Sequence, residues 1–418
     1  MALALLSGCG ASDISIDFGS SAQGETAVPG QSGSSLPAQN SEGSQTPASA
    51  GSNTPNTAKV SSTEFNGISC VTVTSGGTYT LSGEYNDRMI LVDAKGEEVE
   101  LILNGAEISS SKSPAIYVRA AKTVTLTLAE GSVNSLSDGK NYNLEDNDSS
   151  LDGCIFSKAD LVLAGSGSVS VNGNYKHGIV SKDTLRVEGG NWQISSVKTG
   201  IQGKDSLDMN GGGVAIAAGT NGMSSDGVLS VNGGSLNIAQ SKEGLEALSV
   251  NIAGGDIYIN ASDDGINASD PDTSSGQGMG FGMMGMGGNS ACEINISGGR
   301  LMIASKGDGM DSNGSVNISG GEIYVDGPTS NGDQAVDWQT RGSVSGGTMI
   351  ATGSAGMASN VSSSENQATV FIGLSGEAGK EISLKDASGR ALASFTPSKS
   401  YQCALITSPQ LKQAKATR

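Results

Sequence analysis

Residues 178–245 read GIVSKDTLRVEGGNWQISSVKTGIQGKDSLDMNGGGVAIAAGTNGMSSDGVLSVNGGSLNIAQSKEGL. Gly178, Gly200, Gly222 and Gly244 recur at a spacing of 22 residues, each followed by one apolar residue. Eleven residues after an anchor comes a glycine pair, as at Gly189-Gly190, Gly211-Gly212 and Gly233-Gly234. Its flanks alternate apolar and polar residues: LRVEGGNWQI, LSVNGGSLNI, VNIAGGDIYI and VNISGGEIYV. Period-2 alternation bounded by glycine is a strand signal. A fixed period of this length marks a solenoid, because one repeat cannot bury its own apolar face and must stack on its neighbours. The unit returns eight times between residues 153 and 355. The expected fold is all-β: a right-handed, single-stranded parallel β-helix with coils of 22 residues and a small C-terminal β cap.

Stacking turns any side chain kept at one phase of the repeat into a column with members about 4.8 Å apart. Cys154, Ile179, Ile201, Met223, Leu245, Ile266, Met310 and Val336 follow the anchors, Ala335 replacing the last glycine, and form an inward apolar stack. The residues just before the anchors are Asp152, His177, Thr199, Asn221, Glu243, Asp264, Asp308 and Gln334. Two positions after the anchors come Gln202, Ser224, Glu246, Asn267, Asp311 and Asp337. Both polar columns turn acidic over the same C-terminal coils. Glu243, Glu246, Asp263, Asp264, Asn267, Asp308, Asp311, Asp333 and Asp337 are therefore expected to crowd one edge. Stacked carboxylates raise one another's pKa unless a cation intervenes. Calcium, a hard ion that takes six to eight oxygens, suits such a set. The alternative is that Asp and Asn merely favour turns before glycine.

Lys176, Lys198 and Lys242 sit two residues before their anchors, with Lys306 near by, and Lys182 and Lys204 repeat further along. This row is a candidate contact for a polymer carrying regular carboxylates, or else it neutralises acidic neighbours. Trp338 is a candidate stacking ring for a sugar face, and Tyr258 and Tyr324 share an outward phase. Trp192 and Cys154 are expected in the core. His177, the single histidine, is assigned no catalytic role, and no catalytic residue is assigned anywhere. A phosphate loop, a nucleophile elbow and a His/Cys metal cluster are all missing from the sequence.

The 418 residues include 62 glycines and only 4% aromatics, which suits many tight turns around a slim aliphatic interior. A net charge of −18 disfavours nucleic acid as a partner and is compatible with divalent cations. Leu6-Ser7-Gly8-Cys9 matches a bacterial lipoprotein signal, making Cys9 the expected lipidation site of an extracellular, membrane-anchored protein. The expected layout is a signal remnant at 1–9, a disordered Ser/Gly/Thr/Pro linker at 10–60, the β-helix at 61–355 and the cap at 356–418. An acidic loop at 140–152 and a Gly/Met-rich loop at 271–290 interrupt the period.

GGTYTLSGEYNDRMILVDA (76–94), VELILNGAEISSSKSPAIYV (99–118), TVTLTLAEGSVNSLSDG (123–139) and the glycine-pair coils resemble the clostridial carbohydrate-binding-domain lipoproteins. The resemblance spans residues 64 to 355 and continues weakly through SFTPSKSYQCALITSPQL. It implies a right-handed parallel β-helix, related in fold to family 9 pectate lyases, that binds calcium, cellulose and acidic plant polysaccharides such as polygalacturonate. It also implies binding rather than catalysis. The leading expectation is a monomeric, surface-anchored, calcium-dependent polysaccharide-binding protein without catalytic activity. A calcium-dependent pectate-type lyase and a structural or adhesive stalk are the alternatives.

Overall fold

The computed structural model describes residues 3–5, 15–18, 61–142, 150–271 and 291–412. Most of its strands form one parallel β-solenoid, in which a 12-stranded sheet and a 21-stranded sheet are wound by the same chain. Successive coils lie in register: Ile179 opposes Ile201, Ile201 opposes Met223, Met223 opposes Leu245, and Leu245 opposes Ile266. Alternation decides which face is buried. Strand Asp256–Ala261 buries every second residue and exposes the others. The inward residues build one continuous aliphatic core along the winding, with Cys154 and Trp192 inside it.

The recurring glycines do two different jobs. In each pair the second glycine has a left-handed backbone, with φ of 83° at Gly190 and 84° at Gly234, which other residues rarely adopt. The anchors are needed for space instead. A Cβ on Gly200 would lie 2.6 Å from the Gly222 carbonyl oxygen and 2.6 Å from Ile216.

Both ends are covered. At the N-terminal end, strand Ser61–Phe65 folds back antiparallel on Ile68–Val73 through Asn66-Gly67 and pairs the edge of that strand. At the C-terminal end, Tyr401–Thr407 pairs antiparallel with both Arg341–Gly353 and Thr369–Gly376. Ile382–Lys385 and Ala391–Phe395 form the cap's second sheet. A separate core under it includes Ile350, Ile382, Phe395 and Ile406.

Two sequence expectations need correction. Ser15–Phe18, placed in a disordered linker, pairs antiparallel with Ile382–Lys385 and buries Ile16 in the cap core. Leu3–Leu5 pairs with Ser15–Phe18. Gly153 is not an anchor in phase with Gly178: it opposes His177, and Ile155 opposes Ile179, so Asp152 belongs one position earlier. Cys9, loop residues 143–149 and loop residues 272–290 lie outside the described residues.

Candidate functional site

One outward column runs along the 12-stranded sheet through strand register: Leu91, Tyr117, Phe156, Val180, Gln202, Ser224, Glu246, Asn267, Asp311 and Asp337. A second column ends beside it, because Gly244 donates to the Asp264 carbonyl, Gly265 to that of Asp308 and Gly309 to that of Gln334. The acidic edge expected from the repeat therefore exists as a stripe.

Asp308, Asp311 and Asp337 each offer a carboxylate oxygen within 4.8 Å of the others, all three side chains half-buried. Burial first, then Asp311, Asp337 and Asp333, pushes the Asp308 carboxyl up to about 7. Burial, Asp264, Asp337 and Glu243 do the same to Asp311, also to about 7. Asp264 rises to about 7 through burial and Glu243, and Glu246 rises for the same two reasons. Carboxyls crowded this way at neutral pH lack positive charge.

The internal hydrogen bonds use only part of the available oxygen. Asp308 N donates to Asp264 Oδ1 at 2.7 Å, and Gln334 N donates to Asp308 Oδ1. Asp337 Oδ1 accepts from Gln334 Nε2 at 2.9 Å and from Trp338 N at 2.8 Å. Asn267 Nδ2 donates to Glu243 Oε2 at 3.2 Å, and Asn221 Nδ2 donates to Glu246. Asn267 Oδ1 and Gln334 Oε1 are buried within this stripe without any hydrogen-bond partner. A buried oxygen without a donor costs free energy unless something electropositive meets it. These two orphan oxygens beside three carboxylates form an all-oxygen donor set that fits a hard cation. Gln334 was not among the expected metal ligands, although its place in the column after Asp308 pointed to it.

Asp263 and Glu243 are engaged differently. Lys242 Nζ lies 3.0 Å from Glu243 Oε1 and 3.0 Å from Asp263 Oδ2. Those bonds, Asp263 first, hold the lysine above its usual range and keep it charged. Lys242 thus takes the neutralising role. Asp333 stands at the rim, half-buried, with its charge reaching Asp308.

Lys176 and Lys198 are neighbours in one row, Lys198 N donating to the Lys176 carbonyl. The row continues through Thr220, Lys242, Asp263 and Gly307, which leaves exposed Lys306 one position outside it. Trp338 is half-buried against the core, and its ring lies 2.7 Å from where a Gly342 Cβ would stand, so one face is occupied. Tyr324 is corrected: Tyr258, Met302 and Tyr324 do share one phase, but the cap buries Tyr324 against Phe395 at 5.4 Å between ring centres. Tyr258 remains 43% exposed.

The family model described as "Carbohydrate-binding domain-containing protein" matches residues 68–333. A carbohydrate-binding domain-containing protein of Acetivibrio thermocellus is 39% identical over 139 residues, which cover 32% of this chain and 49% of that protein. The match therefore spans about half the length of this curated relative. A solved polysaccharide lyase-like protein from C. thermocellum, a gadolinium derivative, shows 27% identity with a TM-score of 0.42, covering 66% of this chain and 87% of the other. Since the family match takes in the lead-in strands, the repeated coils and most of the acidic stripe, the chain belongs to the carbohydrate-binding domain-containing proteins.

Proposed function

We propose that this chain binds an acidic polysaccharide, of the polygalacturonate type, without cleaving it, and that calcium on the acidic stripe mediates the contact. The observation that carries this reading is the pairing of the Asp308, Asp311 and Asp337 carboxylates with the orphaned Gln334 and Asn267 oxygens. Asp308, Asp311 and Asp337 would hold the ion, with Gln334 Oε1 and Asn267 Oδ1 as neutral donors. When bound, the ion supplies positive charge that meets sugar carboxylates on a protein whose own charge of −18 repels them. Glu243, Glu246 and Asp264 extend the same negative field along the stripe. A lyase needs a base to remove the proton next to the uronate carboxyl. Of the candidate bases Lys198, Lys242 and Lys306, Lys242 is a poor one, because its two ion pairs keep it protonated. The surface tether through a lipidated Cys9 and an extracellular location belong to the same reading.

The test is polygalacturonate affinity measured by titration calorimetry with calcium and again after chelation. Calcium removal is expected to weaken binding about 100-fold, which is about 2.7 kcal/mol. Affinity retained after stripping would overturn the bridging role. Formation of ultraviolet-absorbing unsaturated product from pectins would replace binding with catalysis.

A further inference from the structure

The stripe does not stop where its acids end. One and two coils towards the N-terminus from Asn221, the corresponding positions are Thr199 and His177, and the charges around them change sign. Lys176 precedes His177 and Lys198 precedes Thr199, while Lys182 follows the strand His177–Ser181. All three lysines bear on the His177 ring. Burial, together with Lys198, Lys182 and Lys176 and against the pull of Asp152, drives that imidazole down to about 4. Its Nδ1 accepts from Thr199 N at 3.2 Å, and its Nε2 faces Asp152 Oδ2 at 3.7 Å. His177 is thus held neutral at physiological pH, and the positive charge here belongs to the lysines.

Among the described residues these three lysines form no ion pair, in contrast to Lys242 with its two. Two are steered by rings: Lys176 Nζ sits 4.9 Å from the Tyr175 ring centre and Lys182 Nζ 5.3 Å from that of Phe156. Ring contacts orient an ammonium without neutralising it. The neighbouring acids are turned to other uses. Asp152 faces His177, and Asp183 is raised by burial and by the adjacent Asp160 and Asp205. Among the described residues the result is a cluster of ammonium groups without ion pairs on an acidic protein, in line with the acidic stripe on the same sheet face.

Resting on the polysaccharide reading above, we propose that Lys176, Lys182 and Lys198 form a metal-independent anion pole, and that one carboxylated chain lies along the solenoid axis touching both this pole and the acidic stripe. Strand Ile201–Gly203, next to Lys198, is four steps of the sheet from Met310–Ser312, which carries Asp311. At the spacing of paired strands the two poles stand about 19 Å apart. Ammonium groups bond sugar carboxylates directly through charge-assisted hydrogen bonds. The cation-loaded stripe holds a second segment of the same chain. Linked contacts of this kind raise affinity through effective concentration, but only once the ligand spans both.

The experiment is a length series of oligogalacturonates in calcium, with oligomers shorter and longer than about 19 Å. Wild-type protein is expected to bind the long oligomers at least about tenfold more tightly than the short ones. The double variant Lys176→Ala/Lys198→Ala is expected to lose that step while keeping calcium-dependent binding of short oligomers. Lys176→Arg/Lys198→Arg should restore the step, since it keeps the charge. A long-to-short ratio unchanged in the alanine variant would overturn the lysine pole and leave calcium bridging intact. Wild-type short-oligomer binding indifferent to chelation is the separate result that overturns the earlier reading.

Discussion

The N-terminal and C-terminal halves of one outward column share backbone, register and spacing, yet they serve opposite ends. In the first half Leu91, Tyr117, Phe156 and Val180 are buried. Phe65, Tyr142 and Leu151 lie over them, and Tyr117 packs edge-on against Phe65 and Phe156. In the second half Glu246, Asn267, Asp311 and Asp337 stay half-exposed, with three carboxyls of the stripe pushed up to about 7. A solenoid already satisfies its backbone within the winding, so the outer side chains are free to take either role. One half uses that freedom for a small second core. The other stores repulsion that a bound cation would relieve.

The contrast can be broken most forcefully at Phe156. Phe156→Ala is expected to cost about 3–5 kcal/mol, because a fully buried ring leaves a cavity under Leu151 and Tyr142. Denaturant unfolding measures it; a cost under 1 kcal/mol would mean that the apolar half is not a true core. Next comes the acidic half. Calcium at a hundredfold excess over its Kd should stabilise the wild type by about 2.7 kcal/mol. Asp311→Asn should abolish that gain without destabilising the metal-free protein, since it removes a repelling charge from the stripe. An equal calcium effect in wild type and variant, read by thermal unfolding, would place the ion elsewhere.

The remaining test concerns pH. Asp264, Asp308 and Asp311 release their protons near pH 7 in the folded metal-free protein and near their ordinary value of 3.8 when unfolded. Between those values the folded state binds more protons, so stability falls as pH rises. The metal-free protein should melt at a higher temperature at pH 5 than at pH 8 in matched buffers. Saturating calcium should narrow or reverse that order, and identical pH profiles with and without calcium would contradict the link.

Much of this was legible in the residues. The 22-residue spacing and the glycine pairs pointed to a winding chain, and the acidic columns in the sequence lie side by side in space. Other features were not legible, each for a physical reason. The shift at Gly153 follows from the coil after it, in which Ile155 meets Ile179 after 24 residues where the next coil, from Ile179 to Ile201, takes 22. Tyr324 looked exposed because its coil alternates like the others, but the cap lies on top of it. Nothing local marks Ser15–Phe18 as a strand, since its partner Ile382–Lys385 is far along the chain. The orphan oxygens of Asn267 and Gln334 depend on how every neighbouring donor is aimed.

By itself the sequence determined the winding and, over the regular coils from Gly178 onwards, its register and the order of side chains along each column. Glycine spacing and alternation act over a few residues and repeat from coil to coil. The tertiary structure alone decided which stretches of a column are covered and which remain open to bind. Cover comes from the Asn66-Gly67 hairpin, from Tyr142 and Leu151, and from the cap with its borrowed N-terminal strand. Those segments meet the columns only after the chain has folded, because burial is a property of surfaces brought together and not of neighbours along the chain.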